Sequence, residues 1–445
     1  MTSSSTLNRL LLLLAVTLCT GTTALAQDWV RASTGLGKAK PRIAVADFAA
    51  RNDATKSHSQ AFTQVVRDDL AFSGILDLAS PSFYPPQIPS VPGELKSPAW
   101  KDPQINADMV AFGNLTESSA EVEIQAWLYD VNSSSTQAMI GKVYRGAPTD
   151  PQVRRFAHQF ADEILSRLSG MPGIASTQIA FVSSRTGTKE IWVMDYDGAN
   201  QHPLTSLRTI SLTPRWSPDS SRIAFTCFAP AHGVVSPQIC MYSVDANKVL
   251  TFPRYRGTNS SPAWSPDGSH LMFSSSMLGN PELFVTDSNG GSPKRLTFSN
   301  GANTSPAWNP KTGQSVVFVS DRGGIPKLFM MNADGTNSAE IDVPDKGYLI
   351  DPAWAPNGQL LAFSWRRPEG NYDLYLMDAA SHQISELTRD SARNERPSWA
   401  PDGRHIVFES TRGGTRQIWT MLADGSQARQ LTTQGHNESP NWSTH

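Results

Sequence analysis

An α+β N-terminal domain followed by an all-β six-bladed propeller is the fold class this sequence predicts. Two observations carry the propeller and a third carries the domain before it. A Trp-centred phrase recurs as Trp216-Ser-Pro-Asp219, Trp264-Ser-Pro-Asp-Gly268, Trp308-Asn-Pro-Lys-Thr-Gly313, Trp354-Ala-Pro-Asn-Gly358, Trp399-Ala-Pro-Asp-Gly403 and, truncated, Trp442-Ser443. The tryptophans stand 48, 44, 46, 45 and 43 residues apart, the period of a four-stranded blade. Ahead of them the apolar pattern alternates between strand and helix periods, as a small mixed domain requires.

Each repeat has a physical reading. A short strand carries Pro-x-Trp, whose indole fills the wedge between blades. Asp-Gly or Asn-Gly then turns the chain, because Gly tolerates a positive φ. An alternating second strand follows, as in Ile223-Ala-Phe225, Leu271-Met-Phe273 and Ile406-Val-Phe408. A third strand such as Leu328-Phe-Met330 ends at another Asp-Gly, and the fourth finishes near Leu-Thr, as at Leu296-Thr297 and Leu431-Thr432. The stretch from Ile179 to Thr205 supplies three strands of a blade that lacks its Trp strand, and Ser439–Ser443 supplies that strand. Pairing the two closes the ring and removes open edges.

The domains expected are 1–26, a signal peptide; 27–170, the N-terminal α/β domain; and 171–445, the propeller. The leader combines Arg9, the apolar run Leu10–Leu18 and the small-residue site Ala24-Leu25-Ala26, too short an apolar core to span a membrane. The mature protein is therefore expected to be exported and soluble, and it is read as a monomer. In the N-terminal domain Ile43–Phe48 reads as a strand and 57–72 as an amphipathic helix. Met109–Gly113, Val122–Asp130 and Met139–Arg145 read as further strands. Thr149-Asp150-Pro151 starts a second helix, and the Pro- and Ser-rich stretch Ser80–Lys101 reads as an extended loop. Residues 27–40, poor in large apolar side chains apart from Trp29 and Val30, read as mobile or switchable between docked and free states.

Composition excludes several functions. With 38 Lys and Arg against 40 Asp and Glu, there is no basic stripe for nucleic acid. No Gly-x-Ser-x-Gly elbow occurs and the nine His are scattered, so neither a serine hydrolase nor a metal site is read; no metal, cofactor or catalytic residue is assigned. The frequent Asp-Gly pairs follow from turn chemistry rather than calcium binding. Cys227 and Cys240, on adjacent strands of one blade, leave two readings open, a cross-strand disulfide or two buried thiols.

A binding scaffold remains. The loops that lead into the innermost strands form a rim of the central channel, and polar, varied loops on a rigid frame are how binding sites are commonly built. They nominate Arg254, Tyr255, Arg256, Asn259, Asn303, Thr304, Asp351, Arg393, Glu395 and His436 as partner-binding residues, with Tyr255 and Arg256 expected to face solvent. Arg322 and Arg412 read as ties between blades.

The order of leader, α/β domain and repeated Trp-Ser-Pro-Asp-Gly blades resembles the TolB family, periplasmic proteins of the Tol–Pal system in Gram-negative bacteria. The resemblance runs from Pro41-Arg-Ile-Ala-Val-Ala-Asp-Phe48 through Phe72-Ser-Gly-Ile-Leu76 and Ala107–Gly113 to Trp442. It implies a non-enzymatic scaffold that holds the peptidoglycan-associated lipoprotein Pal at the channel mouth. Through its mature N-terminus, at Asp28, Trp29 and Val30, it would reach the inner-membrane-anchored TolA. It further implies a role in outer-membrane integrity and constriction at cell division. Gln27–Lys40 departs from the family's start. The alternative reading is an exported glycan- or peptide-binding propeller without Tol partners.

Overall fold

The computed structural model describes residues 29–445 apart from 136 and 369; the expected signal peptide at 1–26 and Asp28 lie outside the described residues. The chain divides into two compact units. One is Lys38–Ser176; in the other, the segment up to Gly37 joins Thr177–His445.

The Lys38–Ser176 unit is built on a sheet ordered Asp77–Leu78, Arg42–Val45, Met109–Glu117, Val122–Asp130, Ile140–Gly146, with Ala49–Ala50 also beside Met109–Glu117. Arg42–Val45 pairs parallel with both neighbours, and the later strands pair antiparallel. Two helices, Lys56–Phe72 and Asp150–Ser169, cover one face. Phe62, Val66 and Leu70 of the first and Val153, Phe160 and Ile164 of the second bury against Ile43, Val45, Ile124 and Leu128. Thr149 caps the second helix without a side-chain bond, and Gly170 ends it in the left-handed region.

The expected loop at 80–101 has a structural role. It contains short turns at Pro81–Phe83 and Pro92–Glu94 and a helical turn at Ser97–Trp100. Tyr84 and Trp100 pack from it onto Ala44, Val110 and Phe112 on the sheet's second face. The Tyr84 hydroxyl accepts from the Val45 amide and donates to the Ala79 carbonyl. Gly113 is required where the sheet is tightest, since a Cβ there would lie 2.0 Å from the Gln125 carbonyl oxygen.

The second unit contains six four-stranded antiparallel sheets. The first five blades begin at Ser211, Asn259, Asn303, Tyr348 and Asn394, and the closing blade pairs Asn437–Trp442 with Gln178–Ser183. Indoles wedge between blades as expected: Trp264 Nε1 donates to the Arg215 carbonyl (3.0 Å) and Trp399 Nε1 to the Ala353 carbonyl (3.1 Å) of the preceding innermost strand. Antiparallel order puts the loops leading into innermost strands and those joining second to third strands on one face, the loop face. The Trp-centred turns lie on the opposite turn face.

Two regularities explain residues the repeat reading left without a role. Every innermost strand shifts register midway, at a residue with φ between 49° and 55°: Thr213, Ser261, Ser305, Asp351, Arg396 or Ser439. This is a left-handed bulge, placed each time just before the proline of Pro-x-Trp. The second regularity is a latch. The Thr of Leu-Thr accepts from a third-strand amide and donates to an acid or amide at that strand's start, as Thr388 does to Asp373 and Thr432 to Gln417. An Asn opening the next blade donates to the same group, as Asn394 does to Asp373 and Asn437 to Gln417.

One Trp-centred turn carries a testable charge. Asp402 is 3 % exposed and accepts from the Arg404 and His405 amides and the His405 ring (2.7 Å). Burial opposes its ionisation, but His405 and then Arg404 outweigh that and hold its pKa down to about 2. A depressed carboxyl contributes stability above its unfolded pKa and loses it as pH falls through the folded value. Asp402→Asn should therefore cost about 2 kcal/mol at pH 7. The gap in melting temperature from wild type should close as pH approaches 2, which pH-stepped calorimetry measures.

Candidate partner-binding face and channel

The nominated residues divide by what they touch. Asn259 and Asn303 are fully buried, which corrects their assignment as partner-contacting side chains: both are latches. Asn303 donates to Glu282 (2.6 Å) and Ser299, and Asn259 donates to Gln238 (3.2 Å). Arg322 and Arg412 donate to the side-chain Oδ1 of Asn303 and Asn394 (3.0 Å each) while lying over Phe329 and Trp419. Their tie to the neighbouring blade thus runs through the asparagine.

Tyr255 does not simply face solvent, a second correction. Its ring stacks on Phe273 at 5.5 Å and 9°, and its hydroxyl donates to the Gly291 carbonyl at 3.0 Å. It is a wedge between the first two blades. Arg254 donates to the Ile239 carbonyl and lies against both sulfurs of a Cys227–Cys240 disulfide, the cross-strand alternative of the two left open. Arg256 and His436 are exposed on the loop face, and Thr304 is half-buried in its strand.

Asp351, Arg393 and Glu395 belong to a charge network on the channel side of the last blades. Arg416 reaches Glu395 (3.4 Å), Glu409 (3.2 Å) and Glu438 (3.2 Å); Arg396 pairs with Glu409 (3.1 Å); Lys189 bonds Glu438. Exposed Arg393 pairs with Glu395 at 2.8 Å and lies over Tyr372. Glu395 is 6 % exposed, so its carboxylate serves the network rather than the surface. Burial raises the Glu409 pKa, with Arg396 and Arg416 opposing. Burial also raises that of Asp351, whose carboxylate accepts from Ser364.

What the sequence did not nominate is the apolar part of the loop face. The ten exposed large apolar side chains among the described residues include Leu207, Ile210, Val234, Val235, Leu278, Phe298 and Tyr348. All seven lie in loop-face connections or at strand ends beside them. Phe298 is 75 % exposed with the Arg295 guanidinium 4.6 Å above its ring. Val234 and Val235 sit at the tip of a hairpin whose strands, Arg222–Ala231 and Val234–Ser243, run ten residues each where other blades have six or seven. That overhang of about four residues projects roughly 13 Å beyond the other blades, and the disulfide braces it. A periodicity search cannot find such residues, because they lie where the repeat lapses into loop.

Trp29 and Val30 occupy a different place. Residues 29–34 are helical, and Val30, fully buried, packs with Ala355 and Leu360 of the fourth blade and Trp399 and Ala423 of the fifth. Arg31 pairs with Asp424 at 3.0 Å, and Leu36 is also buried. The segment, read as mobile or switchable between docked and free states, is docked against the propeller at Val30 and Arg31 in this structure. Among the described residues no helix is long and apolar enough to cross a membrane.

Comparison with known proteins agrees with this architecture. The family description "TolB beta propeller domain" matches residues 165–349 and 343–445, and "TolB amino-terminal domain" matches 34–137. The Tol-Pal system protein TolB of Bordetella pertussis is 29 % identical over 92 % of this chain and 89 % of its own. A TolB homolog of Chlorobium chlorochromatii is 31 % identical over 69 % of each chain. The crystal structure of TolB from Acinetobacter baumannii superposes with a TM-score of 0.77 at 24 % identity, covering 92 % of this chain and 98 % of that one. With both family descriptions matched in chain order over two units of the corresponding architecture, the chain belongs to the TolB family, the propeller proteins of the Tol–Pal system.

Proposed function

We propose that the protein is a non-enzymatic periplasmic docking subunit whose propeller loop face binds a Pal-like outer-membrane lipoprotein. Its N-terminal segment, including Asp28, Trp29 and Val30, contacts a TolA-like inner-membrane protein once it leaves the groove that buries Val30. The domain plan behind this is a cleaved leader at 1–26, an α/β domain and a propeller. The observation that carries the reading is the presence of exposed apolar side chains in the loop-face connections, alongside exposed Arg256, Arg393 and His436. Apolar anchors with a polar rim are the composition of a protein-binding patch. Supporting outer-membrane integrity and envelope constriction at division is the consequence of joining the two membranes' partners. The disulfide fits an oxidising compartment.

The anchors therefore shift from Tyr255 to Phe298 and Arg256. Phe298→Ala should weaken Pal binding by about 1–3 kcal/mol, the range for anchor truncations, with an unchanged melting temperature. Tyr255→Ala should lower the melting temperature as well, because it removes the wedge on Phe273. Titration calorimetry beside thermal unfolding separates the two. If Phe298→Ala and Arg256→Ala both bind Pal as wild type does, the partner does not sit on the loop face. For the other end, deleting residues 27–34 should abolish capture of the TolA-like protein from envelope extract and leave Pal capture intact.

A further inference from the structure

Midway along the channel, the left-handed residues of the innermost strands surround a chamber of about 150 Å³. Its walls include the hydroxyl residues Thr213, Ser261, Ser305 and Ser439, together with Asp351, Arg396 and Arg215. A wider cavity of about 380 Å³ adjoins it on the turn face, sharing Arg215, Asp351 and Arg396 and lined by the six tryptophans and their prolines.

The charges facing the chamber do not balance locally. Arg396 has Glu409 at 3.1 Å and Glu438 at 4.0 Å. Asp351 accepts from the Ser364 hydroxyl at 3.2 Å and lies in the field of Arg396 and Arg215. The Arg215 guanidinium bonds the Pro214 carbonyl at 2.9 Å, and among the described residues no carboxylate lies within 4.0 Å of it. Burial lowers its pKa to about 10, so it stays protonated at neutral pH. The Ser439 hydroxyl, in a residue 2 % exposed, has no hydrogen-bond partner among the described residues.

The geometry points to a binding site in this chamber for a single carboxylate, held by the Arg215 guanidinium and the surrounding serine hydroxyls and reached from the turn face. A guanidinium fork matches a carboxylate in a bidentate arrangement, and hydroxyl hydrogens rotate to donate. With Arg396 already met by Glu409, Arg215 is the guanidinium left for an anion, and Asp351 on the same wall disfavours more than one added negative charge. A divalent cation would need several oxygen ligands of negative charge, and among the described residues no group of three His, Cys, Asp or Glu is placed to hold a metal. The proline and tryptophan approach suits the apolar body behind such a carboxylate. The source is either a free small carboxylate or the terminal carboxylate of a peptide, and the site treats both alike.

The test uses the whole mature protein at constant ionic strength, with sodium acetate as the first probe and sodium chloride as the control. Tri-alanine with a free carboxyl, and its C-terminal amide, form the second arm. Binding is read by saturation-transfer NMR and by fluorescence of the channel tryptophans. Acetate should bind saturably, Arg215→Gln should weaken it roughly 10- to 100-fold, the loss of a charge-assisted hydrogen-bonded pair, and Asp351→Asn should strengthen it. The Ser261→Ala/Ser305→Ala double variant, which keeps the arginine, should weaken it less and holds the test open should Arg215→Gln fail to fold. Tri-alanine should bind and its amide should not; acetate binding without tri-alanine binding still supports the site and assigns it to free anions. Equal isotherms for wild type and Arg215→Gln, equal binding of the amide, or weaker binding by Asp351→Asn would each overturn the inference.

Discussion

Removing Ser439–His445 should leave the propeller unable to close and the protein insoluble, or melting far below wild type. The segment carries half of the closing pairing, Asn441 opposite Ala180 and Trp442 opposite Ile179. Beyond the strand, the Ser443 amide donates to the Gln178 carbonyl and its hydroxyl accepts from the Gln178 amide. Trp442 is 4 % exposed, and its Nε1 donates to the Thr177 hydroxyl at 2.7 Å. Asn441 accepts from the Trp216 amide of the first blade at 2.7 Å. Without these residues the innermost edge of Gln178–Ser183 lies open, and open edges pair with other chains. The single change Trp442→Ala should itself cost about 3–5 kcal/mol, the usual range for emptying a buried indole site. A truncated protein with the wild-type unfolding profile would sink the closure account.

The second large effect is expected at Arg416. It contacts three carboxylates, of which Glu409 and Glu395 are nearly inaccessible to solvent. Removing one partner of a buried ion pair costs about 3–5 kcal/mol because it strands the remaining charge, and Arg416→Ala strands more than one. Glu409 already has a raised pKa from its burial. Glu438 is lowered: burial opposes its charge, but Lys189, Arg396 and Arg416 prevail. Taking Arg416 away pushes both upward. A carboxylate raised in the folded state contributes stability at low pH and loses it as pH rises through its folded value. The deficit of Arg416→Ala should thus be largest near pH 7 and shrink below about pH 4, where the carboxylates are protonated. Adding Glu409→Gln should recover part of the loss at neutral pH, a coupling that a double-mutant cycle by urea titration measures.

The blades were legible because a large side chain, a turn and an alternating strand repeat at one period, and each has a local cause. Trp264, Gly268 and Phe273 declare their roles within ten residues of chain. Asn303 and Thr432 do not: each acts on a group brought beside it by the fold, so the residue type is visible but its partner is not. The left-handed positions were hidden for another reason. Residues as different as Thr213, Asp351 and Arg396 occupy them, so no residue type marks the bulge, and only the following proline is constant. On the loop face, Arg256 and His436 could be nominated as polar loop residues, whereas Phe298 and Val234 could not. An apolar residue in a loop signals exposure only once the core is known to lie elsewhere. Trp29 and Val30 were recognised as anchors, but their receiving groove combines Leu360 with Trp399 and Ala423 from two blades.

The closing blade joins residues near 180 to residues near 440. Before that contact forms, the roughly 260 residues between its two strands must already have been made. Non-local pairing of this span is slow to find, because the loop must be closed before any reward is collected. Blades one to five can each assemble from a contiguous stretch, so before closure the protein is an open crescent in which Gln178–Ser183 still lacks its innermost partner. A chain made from its N-terminus stays in that crescent until the final strand is complete, the interval in which chaperones have an open strand edge to bind. Slowing synthesis of the last blade should therefore trap an aggregation-prone crescent, whereas slowing that of the first should not.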